Sequence, residues 1–430
     1  MAKIPQDRRL DSSLALLREG YTFIHQRCIS YQTDIFQMRL LGQRVICLHG
    51  QEAAAVFYNP DYFIRKRAIP KAVQKTLLGE NGVQTLDDLP HRRRKEIFMS
   101  LMSRENIQKL MDLMRKEWEA YIDKWEKQKR VVLFDEVQEI MCRAACGWAG
   151  VPLKEKEVRK RASEFGFMVD AFGAIGPRNW RGRWARRRTE KWIRGIIKDI
   201  RKGKLEAPAG TPAHALAMYH DFNGKPMDRQ MAAVELINIL RPIVAIATYV
   251  TFGALALHDY PVYRDQLKAG EDGFTELFVQ EVRRFYPFTP FLGARVRMDF
   301  GWKGYQFRKG TLVFLDVFGT LHDKRLWERP MAFDPERFRN WQGSPFGFIP
   351  QGGGSFMGGH RCAGEWITIE AMKLSLDYLT KAIRFEVPDQ DLRYSLSRMP
   401  TLPKSRFILK RVKRTGISVP VEEVPIHRAI

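Results

Sequence analysis

Two places in this sequence hold residues whose types and spacing could do chemistry. The first is 350-PQGGGSFMGGHRCAGE-365, where Cys362 stands among six glycines just before a helical pattern that starts near Glu365. Glycines let a backbone come close to something flat and bulky, and a helix N-terminus aims N–H dipoles at the sulfur, so together they would hold a thiolate. Such a thiolate could be a nucleophile, a redox sensor or a metal ligand. A nucleophile needs a general base, and His360 stands two residues away. Nothing nearby has the pattern of a hydrolase elbow, and a glycine loop before a helix equally suits a haem-thiolate ligand shielded by N–H donors. Spacing alone leaves these readings open.

The second place is Arg241-Pro242 in the middle of MAAVELINILRPIVAIATYVTFGALAL. Proline inside a helix removes one N–H and crowds the preceding turn, which exposes backbone to a ligand. An arginine amid Leu, Ile, Val and Ala is costly unless an anion meets it, because a guanidinium stays charged and offers a fork for a carboxylate. Either an internal acid such as Glu235 supplies that anion, or a bound carboxylate does.

These residues need elements to position them. The first hundred residues mix short β-like runs, RVICLHG and DYFIRK, with turns, and helical periodicity dominates from Arg92 to about Ala269. VYRDQLKAGEDGFTELFVQEVRRFYP reads as two helices around a Gly turn, the second ending before Pro287. Alternation with Gly-bearing turns predicts hairpins between Thr289 and Phe318, followed by a long loop rich in Pro, Arg and Phe that leads to Gly352. The segment after Cys362 reads as an amphipathic helix. With no repeat or low-complexity linker, residues 1–430 are expected to form one mainly helical domain with small β-sheets.

Composition narrows the function classes. Lys and Arg total 72 against 49 acidic residues, a formal charge of +23 that would attract nucleic acid, anionic lipid or small anions without choosing among them. Basic and aromatic residues interleave in 176-GPRNWRGRWARRRTEKWIRG-195, but no zinc-finger spacing, RNP-like motif or basic tail accompanies them, so the reading is a solvated helix with tryptophans anchoring one face, and no nucleic-acid partner is expected. The five cysteines are odd in number and contain no CxxC pair, which suits a reducing cytosol. Cys142 and Cys146 share a helix face, yet no His or second Cys pair stands nearby, and they read as buried small hydrophobes. The N-terminal residues are too charged for a signal peptide, and the apolar run Ile243 to Leu257 falls short of the ~20 residues that a membrane span needs. A cytoplasmic protein without a membrane span is expected.

The cysteine loop resembles the haem-ligand loop of the cytochrome P-450 superfamily, Phe-x-x-Gly-x-Arg-x-Cys-x-Gly. Gly358, Cys362 and Gly364 match it, while Ser355 replaces the Phe and His360 the Arg. Both departures fit a narrower likeness. PQGGG followed by GHRC and GEWITIE is similar to the fatty-acid peroxygenase branch, and HRRRKEIFMSLM, MVDAFGAIGPRNW, QEVRRFYPF and FDPERF fit in order along nearly the whole chain. The resemblance implies a cytochrome P-450 fold with haem b between a long central helix and the cysteine loop, Cys362 as the axial thiolate, and Gly358 and Gly364 seating the ring.

It further implies that Glu281 and Arg284 of EVRR form not a surface pair but an internal one, joined by Arg337 of FDPERF. It places Gln84 facing the haem, where relatives that favour alkene formation carry a titratable His, and it lines the substrate channel with Val169, Phe172 and Phe288. His91, Lys95 and Arg65 are reasonable partners for the anionic haem propionates. Monooxygenases of the superfamily carry an acid-Thr pair in the central helix; here Arg241-Pro242 stands instead. The peroxygenases use the matching Arg to bind a fatty-acid carboxylate, which takes over the proton transfer to hydrogen peroxide. The expected activity is therefore peroxide-driven hydroxylation of long-chain fatty acids at the alpha and beta carbons without a redox partner. Decarboxylation to a terminal alkene, a reductase-dependent monooxygenase and a non-catalytic haem sensor are the alternatives.

Overall fold

The computed structural model describes residues 3–221, 223–271, 273–420 and 423–425. Its axis is the helix Arg229–Asp259, in which every residue from Ala232 to Leu257 except Pro242 is buried. A helix that is apolar on all sides must be covered on all sides. It is covered by the helices Leu133–Ala149, Val158–Asp170, Pro177–Arg201 and Glu365–Asp377. Asp228 caps its start by accepting the Met231 N–H. Among the described residues it is the one helix long and apolar enough to cross a membrane, and 94% of its most apolar window lies inside the protein.

Among the described residues, ten short strands complete the fold: β1 Ile35–Leu40, β2 Gln43–Leu48, β3 Phe63–Ile64, β4 Val131–Val132, β5 Phe291–Val296, β6 Phe300–Trp302, β7 Tyr305–Phe307, β8 Leu312–Asp316, β9 Ile383–Glu386 and β10 Ile408–Arg414. Five of them form a sheet in the order β1-β2-β8-β5-β3, with β2 and β8 parallel and the other pairs antiparallel. The hairpin expected after Thr289 is β6–β7, turned by Lys303 and Gly304, both at positive φ as a two-residue hairpin turn requires. The outer runs of that region, β5 and β8, pair with each other across the hairpin.

The helical stretch from Arg92 to Ala269 and the helix pair Pro261–Ala269 and Phe274–Phe285 are present as the periodicity predicts. Three expectations need correction. The first hundred residues also contain the helices Ser13–Glu19, Phe23–Tyr31 and Gln51–Phe57, whose few apolar positions are decided by packing against the sheet. The helix Glu365–Asp377 starts where expected, but all its residues except Lys373 are buried, including Glu365, Glu370 and Asp377. Of the three tryptophans on Pro177–Arg201, Trp192 packs against the core beside Ile193 and Ile196, while Trp180 and Trp184 are exposed. Cys142 and Cys146 lie buried in the main core as small apolar groups, and all five cysteines are free thiols.

Candidate active site

Cys362 follows a loop gripped at both ends by Gln351. The Gln351 carbonyl accepts the Cys362 N–H at 3.0 Å, and its side-chain Nε2 lies 3.7 Å from Sγ and donates to Thr368 Oγ1 at 3.0 Å. Burial pushes the Cys362 thiol above its ordinary range, while the Lys95 ammonium, the Gly364 N–H and the Gln351 amide work the other way. A partly buried sulfur surrounded by donors is poised to become a thiolate once a cation binds it. Within the loop, Gly358 donates its N–H to Ser355 Oγ at 3.2 Å, and a Cβ on Gly359 would come within 2.6 Å of the Ser355 carbonyl. Ser355, at the position of the family's Phe, thus organises the turn by hydrogen bonding. A Cβ on Gly364, by contrast, would meet no protein atom within 4 Å.

Glu365, one residue on, is neutralised inside the protein by Arg361 Nε at 2.6 Å and Arg283 Nη2 at 2.5 Å. Those two guanidiniums hold its carboxyl below the ordinary range against the opposing effect of burial.

A group of cations converges near the thiol. Lys95, on the helix Asp88–Ser100, donates to the Arg361 carbonyl at 2.5 Å, and burial lowers its pKa to about 8. The rings of His91 and His360 stack with centroids 3.9 Å apart. Burial, with the neighbouring cations, pulls His91 to about 4 and His360 well below its ordinary value, so both are neutral near pH 7. Arg65 is buried with its guanidinium 4.4 Å from the Phe57 ring centroid. Among the described residues no carboxylate lies within 4 Å of the Arg65 or Lys95 side-chain nitrogens, and the nearest pairing in the group is His360 to Asp87 at 3.8 Å. Buried cations without counter-ions fit an anionic ligand.

Arg241 presents the same signature on the central helix. Its Nη2 reaches Asn238 Oδ1 only at 3.5 Å, its buried Nε has no partner, and no carboxylate among the described residues lies within 4 Å. Burial, and then Arg186, lower its pKa to about 9. The internal pairing with Glu235 does not form. Glu235 is taken instead by Arg94 Nη1 at 2.5 Å, by the Val83 N–H at 2.9 Å and by Asn238 Nδ2 at 3.1 Å. Asn238 Nδ2 also donates to Gln84 Oε1 at 3.3 Å, so Gln84, Asn238 and Arg241 form one polar chain. Pro242 has no N–H to give the Asn238 carbonyl, which is left without its helical donor beside this chain.

The remaining predicted residues are placed as follows. Phe288 stacks on Tyr249 with centroids 4.6 Å apart, and Val169 and Phe172 are half-buried at the end of the helix Val158–Asp170 and in the turn after it. Glu281 and Arg284 are fully buried, joined by two hydrogen bonds of 2.7 Å, and Arg337 Nε lies 3.2 Å from Glu281. The surface alternative for that pair is therefore excluded. Sequence reasoning missed Gln351, Asn238 and Arg94. Asn238 stands three residues before Arg241, a helical spacing that points to the same face. Two surface grooves, one beside Leu255 and Tyr394 and one beside Glu117 and Arg159, contain none of these residues.

Known proteins share this sequence and fold. The sequence profile of the cytochrome P450 family matches residues 273–411. The structure of cytochrome P450EX alpha (CYP152N1) with myristic acid is 47% identical, with a TM-score of 0.94 over 96% of this chain and all of that one. Cytochrome P450SP alpha (CYP152B1) in complex with (R)-ibuprophen is 44% identical, with a TM-score of 0.92 over 94% of this chain and all of that one. A variant of cytochrome P450 OleT in complex with arachidonic acid is 36% identical, with a TM-score of 0.94 over 97% of this chain and all of that one. Among curated relatives, beta-amyrin 28-monooxygenase of Kalopanax septemlobus is 23% identical over 87% of this chain and 84% of its own length.

The chain belongs to the cytochrome P450 family. Within it, the similarities place the chain in the fatty-acid peroxygenase branch, an oxidoreductase whose cofactor is haem b with a cysteine thiolate as axial ligand, here Cys362. The residues present fit that group: a half-buried sulfur beside the Gln351 amide, the open side of Gly364, and buried cations for two propionates.

Proposed function

We propose that this protein uses hydrogen peroxide to hydroxylate long-chain fatty acids at the alpha and beta carbons, with the whole chain as one catalytic domain and no obligatory redox partner. When bound, the haem with its thiolate ligand supplies the oxidising chemistry. The observation that carries the reading is Arg241, a buried guanidinium with an unpartnered Nε and no acid of its own. With a pKa of about 9 it keeps its charge near neutral pH, and a carboxylate is the anion whose two oxygens match its fork.

Holding the carboxylate does two things. It fixes the polar end of the chain, so that only the first carbons of the acid are presented for oxidation. It also sets a carboxylate oxygen where it can carry a proton to and from the peroxide, the task for which the central helix has no acid-Thr pair. Val169, Phe172 and Phe288 offer apolar surface to the hydrocarbon, and the Tyr249 ring steadies Phe288. Arg65, His91 and Lys95 are assigned to the propionates, with the neutral His91 donating a hydrogen bond where Arg65 and Lys95 donate charge.

Decarboxylation to a terminal alkene starts from the same anchored acid. Gln84 favours hydroxylation, because an amide held by Asn238 can donate a hydrogen bond but cannot exchange a proton. We place the enzyme in the cytosol. The test is product analysis with purified haem protein, a long-chain saturated acid and peroxide: 2- or 3-hydroxy acid is expected, and absence of turnover with haem correctly bound overturns the reading.

A further inference from the structure

The basic stretch 176–195 takes no part in the site described above, and its exposed face has a composition of its own. On the helix Pro177–Arg201, Trp180, Arg181, Trp184, Arg187, Arg188 and Lys191 recur at intervals of three and four and are all exposed. Trp180 and Trp184 are 62% and 65% exposed, and Ile175, just before the helix, is 71% exposed. Large apolar side chains at adjacent turns of one face have a cost in water and signal an unmade contact. Arg181 and Arg188 pair with Asp170 and Glu164 at 3.1 and 2.9 Å, whereas among the described residues no carboxylate lies within 4 Å of Arg187 or Lys191.

A second row repeats the pattern. Leu10, Leu14 and Leu17 are 93%, 58% and 37% exposed, and Leu41, whose N–H donates to Ser13 Oγ at 2.9 Å, is 87% exposed beside them. Arg8, Arg9 and Arg18, which flank this row in sequence, are exposed, and Arg9 lies 3.9 Å from Asp7 and 3.7 Å from Glu19. One segment, Leu396 to Met399, joins the two rows. It accepts the Tyr21 N–H at 2.9 Å through the Leu396 carbonyl and Arg178 Nη2 at 3.2 Å through the Met399 carbonyl, and Arg398 reaches Asp170 at 2.5 Å.

We propose that this face docks on an anionic lipid surface, with Ile175, Trp180, Trp184 and the leucines of the N-terminal row entering the headgroup boundary and the arginines meeting lipid phosphates. Charge complementarity selects an anionic partner, since the chain carries a formal +23. The aliphatic residues select lipid over nucleic acid. Bases stack on aromatic faces and gain nothing from exposed Leu and Ile, whereas a bilayer boundary takes both, with tryptophan at headgroup depth. The proposal rests on surface residues alone and is independent of the peroxygenase reading.

The test uses the holoprotein in co-sedimentation with phosphatidylcholine vesicles and with vesicles that also contain phosphatidylglycerol. Binding to the anionic vesicles, weakened by salt and small on the neutral ones, is expected. Replacing Ile175, Trp180 and Trp184 with Ser should weaken it at least about tenfold while the haem spectrum and far-UV dichroism stay as in the parent. The Arg187→Glu and Lys191→Glu pair, which leaves the apolar side chains in place, should weaken it in the same direction. No binding to anionic vesicles, binding that neither set of substitutions changes, or substitution-sensitive binding to duplex DNA in place of vesicles would each overturn the proposal.

Discussion

Arg94 Nη1 lies 2.5 Å from Glu235 Oε1, and this pair leaves Arg241 without an acid on its own helix. Glu235 is fully buried, and its oxygens are occupied by Arg94, the Val83 N–H and Asn238. Because Val83 begins the short 3-10 turn Val83–Thr85 that carries Gln84, the same carboxylate also ties that turn to the central helix.

Removing the charge with Arg94→Met leaves Glu235 buried and unpaired, one amide away from Arg241 through Asn238. Steady-state kinetics of the haem-loaded variant should then give a KM for fatty acid raised about tenfold, with kcat changed much less, since a competing internal anion weakens substrate binding before it touches chemistry. An unchanged KM would mean that the pair does not govern Arg241.

Gln84→His introduces a group that titrates near neutral pH at the end of the Gln84–Asn238–Arg241 chain. Chromatographic analysis of products from a saturated acid should show a larger share of terminal alkene than the parent gives. If the ratio stays fixed, the side chain at 84 does not direct the outcome.

Glu281 is held by Arg284 and Arg337 and by the Asp334 N–H at 2.8 Å, so Glu281→Ala strands two buried guanidiniums. Breaking a buried pair from one side costs about 3 to 5 kcal/mol. Denaturant unfolding should show a loss of that size, accompanied by reduced haem retention.

A pH dependence arises at His49, which takes no part in the site described above. Burial alone would lower the pKa of His49, but the hydrogen bonds that its ring N–H groups donate to Asp316 at 3.0 Å and Asp323 at 3.3 Å outweigh it and raise the value to about 9. A raised folded-state pKa means that the charged His49 contributes its full stabilisation below about 6.5 and loses it as pH climbs through about 9. The shift sets an upper bound of about 3 kcal/mol. Thermal unfolding between pH 6 and 9.5 should show stability falling across that window, and His49→Gln should flatten the curve.

How far the sequence discloses the site depends on how local each requirement is. Cys362 and its glycines are legible because a close backbone approach and a helix start are satisfied within a few residues. Arg241-Pro242 is legible because a charge and a helix breaker stand out in an apolar run. Glu281 and Arg284 are three apart, yet nothing local tells a buried pair from a surface one, and only the resemblance joined Arg337 to them. Arg94 and Glu235 are 141 positions apart, and Arg94 is one of three consecutive arginines in HRRRK, so no pattern selects it as the one that turns inward. The exposure of Trp180 and Trp184 was hidden for the opposite reason: their helical spacing equally suits a packed face, and only the position of the neighbouring helices decides which face is covered.

Arg241 as the anchor of a fatty-acid carboxylate is tested by comparing the parent with the Arg241→Leu variant. Purified haem-loaded parent and Arg241→Leu proteins are supplied with a long-chain saturated fatty acid and hydrogen peroxide, without any reductase, and products are separated by gas chromatography and mass spectrometry. The parent should yield 2- and 3-hydroxy acids, and the variant, with the same haem spectrum, should lose about 100- to 1000-fold in kcat/KM, the cost of a bidentate charge-assisted pair. Oxidation at carbons remote from the carboxylate in the parent, or equal turnover by the two proteins, would contradict it.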